Sequence, residues 1–217
     1  MGATATTGEG LRERKKRQTR EAIAAAAMEL FLARGFDDVT IADVAGAAGV
    51  SRKTIFNYFP AKEDLVFHEG RERRAALIEA IRSRPAGEPL IAPFRRTTIE
   101  YLDRVEHGSV DALVAVPRLV AASPALRSRL AIGWEKEAAE LAPVIAEETG
   151  AAVGDLLAMV VARTLAWTHR LTFRAAFMRL LAGEDQRTVA ADLREQATRA
   201  YDLLEAGLGG YGVAGDG

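Results

Sequence analysis

The 217-residue sequence contains no cysteine. Disulfides, thiolate zinc sites and cysteine nucleophiles are therefore excluded together, and a reducing compartment, the cytoplasm, is the expected location. Histidine is nearly as rare: Leu65, Arg104 and Ala166 stand three residues before His68, His107 and His169. The Glu-x-x-His pairs that a di-iron helical bundle needs are thus missing. No nucleophile elbow, Walker loop or zinc-protease motif occurs. The glycines from Gly207 to Gly212 have no strand pattern before them and no helix pattern after, so they are not a dinucleotide loop. No apolar run reaches the roughly 18 residues of a membrane span, and residues 1–10 lack the apolar segment of a secretory signal. Neither enzymatic chemistry, nor a cofactor, a metal or a membrane is expected.

What is present is helix. Alanine, leucine, arginine and glutamate dominate, and no long stretch alternates apolar and polar residues with a period of two. Ile23, Ala27, Leu30 and Phe31 recur at helical spacing between Arg17 and Arg34, with Gly35 as the stop. Thr40 is placed to cap a short helix from Ile41 to about Gly49, and Ser51 a third to about Phe59. Pro60 is expected to open a fourth helix running to Arg84, before the break at residues 85–89. Further helices are expected near 91–107, 110–122, 125–149, 153–183 and 187–207, with kinks or breaks at Pro117 and Pro143.

Charge is nearly balanced at −1 but unevenly spread. Residues 1–62 carry ten Lys/Arg against seven Asp/Glu, and Arg12, Arg14, Lys15, Lys16, Arg17 and Arg20 are opposed only by Glu13. Such a cluster binds phosphates by releasing counterions, or is simply a solvated basic tail.

The stretch IADVAGAAGVSRKTIFNYF, Ile41 to Phe59, meets the demands of two helices crossing at a short turn. Ala45 is small where the second helix crosses, Gly49 tolerates positive φ, and Val44, Ala48, Val50 and Ile55 fill the wedge. The second helix then turns Arg52, Lys53, Thr54, Asn57 and Tyr58 outward. These residue types touch phosphates and base edges. A helical hairpin with a solvated polar face leaves both the Ala–Gly–Val spacing and the basic outer face unexplained.

From Arg17 to Leu65 the chain resembles the TetR/AcrR family of regulators: LFLARGFDDVTIADVAGAAGVS, then RKTIFNYFPAKEDL. The resemblance implies a bacterial DNA-binding regulator, commonly a repressor, released from a palindromic operator by a small-molecule effector. It implies an all-α fold, with an N-terminal three-helix helix-turn-helix domain and a C-terminal helical ligand-binding and dimerisation domain. The expected division is a disordered tail over 1–10, the DNA-binding domain over 11–65, the effector and dimerisation domain over 66–207, and a disordered tail over 208–217. It further implies that Thr40 and Lys62 hold phosphates, that Arg52, Lys53, Thr54 and Asn57 enter the major groove, and that Tyr58 reaches the backbone. The basic arm before Arg20, Arg17 included, would lie along the duplex. One departure is Phe56, where many relatives carry tyrosine; a thymine methyl is a natural partner for it.

The resemblance places dimerisation on the last two long helices. On the first of them Leu157, Val161 and Leu165 mark one apolar face and Ala166, Phe173 and Phe177 another, as in a helix packed on both sides. Arg163, Trp167, Arg170 and Arg174 share one face of it and are candidates for an anionic ligand, or for ion pairs with neighbouring helices or a second subunit. Tyr101 and Trp134 join them as pocket candidates, as do Phe94, His169 and Phe173, although such residues more often form core. The segment Ser123–Glu137 is similar to family members that respond to acyl-coenzyme A-like effectors. Two other readings stay open: a helix-turn-helix protein without a sensor, and a helical-bundle enzyme.

Overall fold

The computed structural model describes residues 10–208. Among them lie nine α-helices, one 3-10 turn and no strand: α1 Leu11–Arg34, α2 Ile41–Ala47, α3 Arg52–Tyr58, the turn Lys62–Leu65, α4 His68–Arg82, α5 Ile91–His107, α6 Val110–Ala122, α7 Pro124–Thr149, α8 Leu156–Leu181 and α9 Gln186–Leu208. Of the tails expected over 1–10 and 208–217, residues 1–9 and 209–217 lie outside the described residues. The chain forms two compact units that divide between Glu69 and Gly70.

In the first unit, α1 starts at Leu11 rather than near Arg17, so the basic cluster is itself helical. Arginine, lysine, glutamate and glutamine are good helix formers, and Glu13 favours the positive end of the helix dipole. Ile23, Ala24, Ala27 and Phe31 bury the inner stripe of α1 against Phe36, Val39, Val44, Ile55 and Phe59.

The fourth helix does not run unbroken from Pro60. Asp64, Leu65 and Val66 are all buried, and three consecutive residues cannot share one side of an α-helix. The chain answers with a tighter 3-10 turn, in which Asp64 accepts the Ala61 N–H at 3.2 Å, and α4 begins only at His68.

The second unit contains two apolar cores. Phe94, Leu141, Ile145, Val161, Leu165 and Tyr201 belong to one; Leu102, Val105, Val114, Ala176, Val189 and Leu193 belong to the other. Pro117 and Pro143 sit inside α6 and α7 without breaking them, so of the expected kinks or breaks no break occurs. Pro143 and Ala139, whose carbonyl loses its helical partner, both face solvent, where water replaces the lost bond. Gly150 ends α7 at φ 66°, a left-handed conformation that suits glycine.

Phe94 is fully buried and is core. Phe94→Ala is expected to destabilise the protein by about 3–5 kcal/mol, read as a lower urea midpoint with an unchanged slope.

Candidate nucleic-acid interface

Two seven-residue helices are too short to persist alone, and each is fixed at its start by a side chain. Thr40 Oγ1 accepts the Asp43 N–H at 3.2 Å, while Asp43 Oδ2 accepts the Thr40 N–H at 2.8 Å and its hydroxyl at 2.6 Å. These hydrogen bonds, and Arg34 at 3.6 Å, hold the Asp43 carboxyl below its ordinary pKa. Ser51 Oγ accepts the Thr54 N–H at 3.0 Å and lies 2.8 Å from the Thr54 hydroxyl. Between the helices Gly49 adopts φ 64°, and the Val50 N–H reaches back to the Ala45 carbonyl at 3.0 Å.

With Ile55 and Phe59 buried, α3 must turn its other face outward. Arg52, Lys53, Phe56 and Asn57 are exposed; Thr54 and Tyr58 are half-buried. The outward surface is thus basic and amide-bearing, with one apolar ring, Phe56, half exposed to solvent. Seven residues span about 10 Å, a length that a major groove accommodates.

The structure reassigns some donors. The single hydroxyl proton of Thr40 is committed to Asp43, so a phosphate contact from that side chain requires the proton to swing away. Lys62 donates to the Phe36 carbonyl at 2.5 Å, and its ammonium lies 4.2 Å from the centre of the Phe36 ring. Burial lowers its pKa, against the pull of Asp37, Glu63, Asp38 and Asp43. Lys62 is therefore a strut for the α1–α2 connection with two protons left over. No sequence signal marked this, because Phe36 is 26 residues away.

Arg17 lies on the exposed side of α1, 3.6 Å from Glu21. Arg12, Glu13, Lys15, Lys16 and Thr19 line an open groove of about 470 Å³ together with Tyr58 of α3. The basic cluster and the outward helix thus share one surface. Arg20 does not join it; its guanidinium covers the Phe59 ring at 4.9 Å.

The six ligand candidates do not form one site. Trp134 and Trp167 meet edge to face at 6.3 Å, with the Arg170 guanidinium 4.6 and 5.1 Å from their centres and 3.0 Å from Glu137. Arg163 pairs with Glu135 at 2.8 Å, and Arg174 is exposed. Tyr101 is elsewhere: it stacks on Phe173 at 3.5 Å and 13° inside the unit. Within the single chain α8 is covered on one side, and Leu156, Leu157, Met159, Val160, Trp167, Leu171, Met178 and Leu181 are exposed. Arg163, Trp167 and Arg174 belong to that exposed stripe. Leu157, grouped from sequence with buried Val161 and Leu165, is half exposed.

His169 is half-buried and hydrogen-bonded through one ring nitrogen. Its Nδ1 lies 2.7 Å from Thr98 Oγ1, which is 2.8 Å from the buried Tyr201 hydroxyl. Burial, then Arg73, Arg104 and Arg170, push its pKa down from 6.5 to about 4. Burial pushes both Tyr101 and Tyr201 up to about 12.

A capped two-helix unit with a basic, amide-bearing outward helix defines a helix-turn-helix DNA-binding regulator. Residues 23–68 match the family model for bacterial regulatory proteins of the tetR family. The chain is 32% identical to the HTH-type transcriptional regulator TcmR of Streptomyces glaucescens over 153 residues, 68% of each protein. It is 27% identical to the transcriptional regulator MftR of Mycobacterium tuberculosis over 203 residues, 90% of this chain and 93% of that one. The structure resembles Salmonella enterica GusR with a TM-score of 0.53 at 22% identity, covering 88% of this chain and 96% of that chain. The chain belongs to the TetR family, and it is a DNA-binding transcriptional regulator.

The depressed His169 pKa sets a pH dependence. Above about pH 6.5 neither the folded nor the unfolded chain protonates this ring; below it the unfolded chain takes a proton that the folded protein refuses until about pH 4. Stability should therefore fall with pH across that window, by at most about 1.4 kcal/mol per pH unit from this residue. Urea titrations should show a shallower dependence in His169→Gln; equal slopes would remove His169 as the cause.

Proposed function

We propose that this protein is a cytoplasmic repressor that binds a palindromic operator as a homodimer and is released by a small-molecule effector. The observation that carries the reading is the outward face of α3, held by the Ser51 cap and flanked by the basic first half of α1. Arg52, Lys53, Thr54 and Asn57 are the base-reaching residues of this reading. Tyr58 with Arg12, Lys15 and Lys16 grips the backbone, and Arg17, Thr40 and Lys62 are the remaining phosphate contacts.

One short helix gives too little interface for firm operator binding, and a twofold pair supplies two readers about 34–36 Å apart, one DNA turn, or a near multiple. Support for the pair comes from α8. Leu156, Val160, Trp167, Leu171, Met178 and Leu181 repeat at helix-seam spacing, with Arg163 and Arg174 interleaved, and all are exposed. A second copy docking on α8 and α9 buries that stripe. The same placement makes Arg163, Trp167 and Arg174 interface residues, which leaves the interior of the second unit for the effector. The effector acts by preferring one arrangement of the paired readers, so that release scales with its differential affinity. The protein's chemistry is binding, not catalysis.

Duplexes from the gene's own promoter should bind with log affinity falling linearly in log salt. Asn57→Ala should relax preference at one or two base pairs, costing about 1–3 kcal/mol there. Lys62→Met should weaken binding to every duplex and also lower the melting temperature, because it removes the Phe36 strut. Absence of salt-sensitive binding in gel shifts would sink the reading.

Trp167→Glu places a charge in the centre of the α8 stripe. Sedimentation should show a monomer where the parent protein is a dimer, with two-site operator binding lost.

A further inference from the structure

Between α5, α8 and α9 lies a polar and aromatic cluster inside an otherwise apolar unit. Tyr101 and Phe173 stack in parallel at 3.5 Å, and His169 leans on Phe173 at 4.4 Å and 57°. Thr98 and Tyr201 are fully buried, whereas His169 and Phe173 are only partly so.

The hydrogen-bond chain has a preferred direction. Were Thr98 to donate to Tyr201, the phenol's own proton would be left buried without an acceptor. If Tyr201 donates to Thr98 and Thr98 to His169 Nδ1, every buried proton is placed. The neutral ring then carries its proton on Nε2, on a side chain that is still partly accessible.

Arginines stand near the cluster. Arg73 of α4 and Arg104 of α5 act on both Tyr101 and His169, and Arg170, itself paired with Glu137 at 3.0 Å, acts on His169 as well. The Arg104 guanidinium lies 5.8 Å from the Tyr101 ring. Across Gly70–Ala76 no residue is fully buried, and α4 contributes its first fully buried side chain at Leu77. Arg73 and Arg104 are both exposed.

We infer that this cluster is the effector site and that it takes a flat aromatic carboxylate. The ring lies against Phe173 and Tyr101, and the carboxylate accepts the Nε2–H of His169 beside Arg73 and Arg104. Neutral His169 donates to the acid without competing for its proton, and the arginines supply the balancing charge. The inference rests on the sensor reading above and moves the ligand away from the Arg163–Arg174 stripe.

The test is isothermal titration of the full-length protein with benzoate, 2-naphthoate and anthracene-2-carboxylate, each beside its uncharged amide. At least one acid should bind about tenfold tighter than its amide. Arg104→Gln, a change at an exposed position, should remove most of that difference and leave amide binding unchanged; Phe173→Leu should weaken acid and amide alike. The proposal is overturned if no acid binds, if acid and amide bind equally, or if the preference survives in both Arg104→Gln and Arg73→Gln. Operator release is read separately by gel shift. An acid that binds with the arginine-dependent preference but releases no DNA upholds the site and removes the sensor reading. A releasing compound that leaves the bound acid in place keeps the sensor reading and overturns the site.

Discussion

The DNA-reading surface depends on one constraint: helices of seven residues do not hold themselves together. Their backbone bonds are too few to offset the cost of nucleation, so their direction must be fixed from their ends and from below. Thr40 with Asp43 fixes the start of α2, and Ser51 with Thr54 the start of α3. Ile55 and Phe59 pin the inner side of α3 to the core beneath. Caps of this kind contribute about 1 kcal/mol each, a substantial fraction of a small unit's stability. The outward placement of Arg52, Lys53 and Asn57 follows from these anchors.

The same economy explains Lys62. A lysine at the start of the 3-10 turn is free to point at solvent, yet its ammonium sits on the Phe36 carbonyl and over the Phe36 ring. The connection between α1 and α2 is short and carries Asp37 and Asp38, so a cation there serves both the carbonyl and the acidic neighbourhood. In the proposed phosphate contact, Lys62 would have only the protons this strut leaves over.

Legibility in the sequence followed the range of the interaction. The capping box, Gly49, the Ser51 cap, the Gly150 stop and the buried stripe of α1 are decided within about four residues, and all could be read directly. The 3-10 turn after Pro60 was missed because the burial of Asp64, Leu65 and Val66 is imposed by distant packing rather than by any local pattern. Whether Pro143 would break α7 could not be read, because the cost of a proline depends on whether its orphaned carbonyl meets water, which sequence does not record. The Thr98–His169–Tyr201 chain joins residues 71 and 103 positions apart and was invisible in the sequence.

The stripe Arg163–Trp167–Arg170–Arg174 shows the limit of periodicity. Spacing of three and four places residues on a common side, and it does so equally for a ligand pocket, an ion-pair network or a subunit seam. Exposure separates these cases. Arg170 leans inward to Glu137 and the tryptophans, whereas Arg163, Trp167 and Arg174 stay on the open stripe with Leu171 and Met178. In the same two turns of α8, His169 and Phe173 face the polar cluster while Trp167 and Leu171 face out. A rigid helix cannot move one of these sets without the other. A ligand that parts Phe173 from Tyr101 therefore acts on the helix that a second copy would grip, and occupancy of the interior and geometry of the pair become linked quantities.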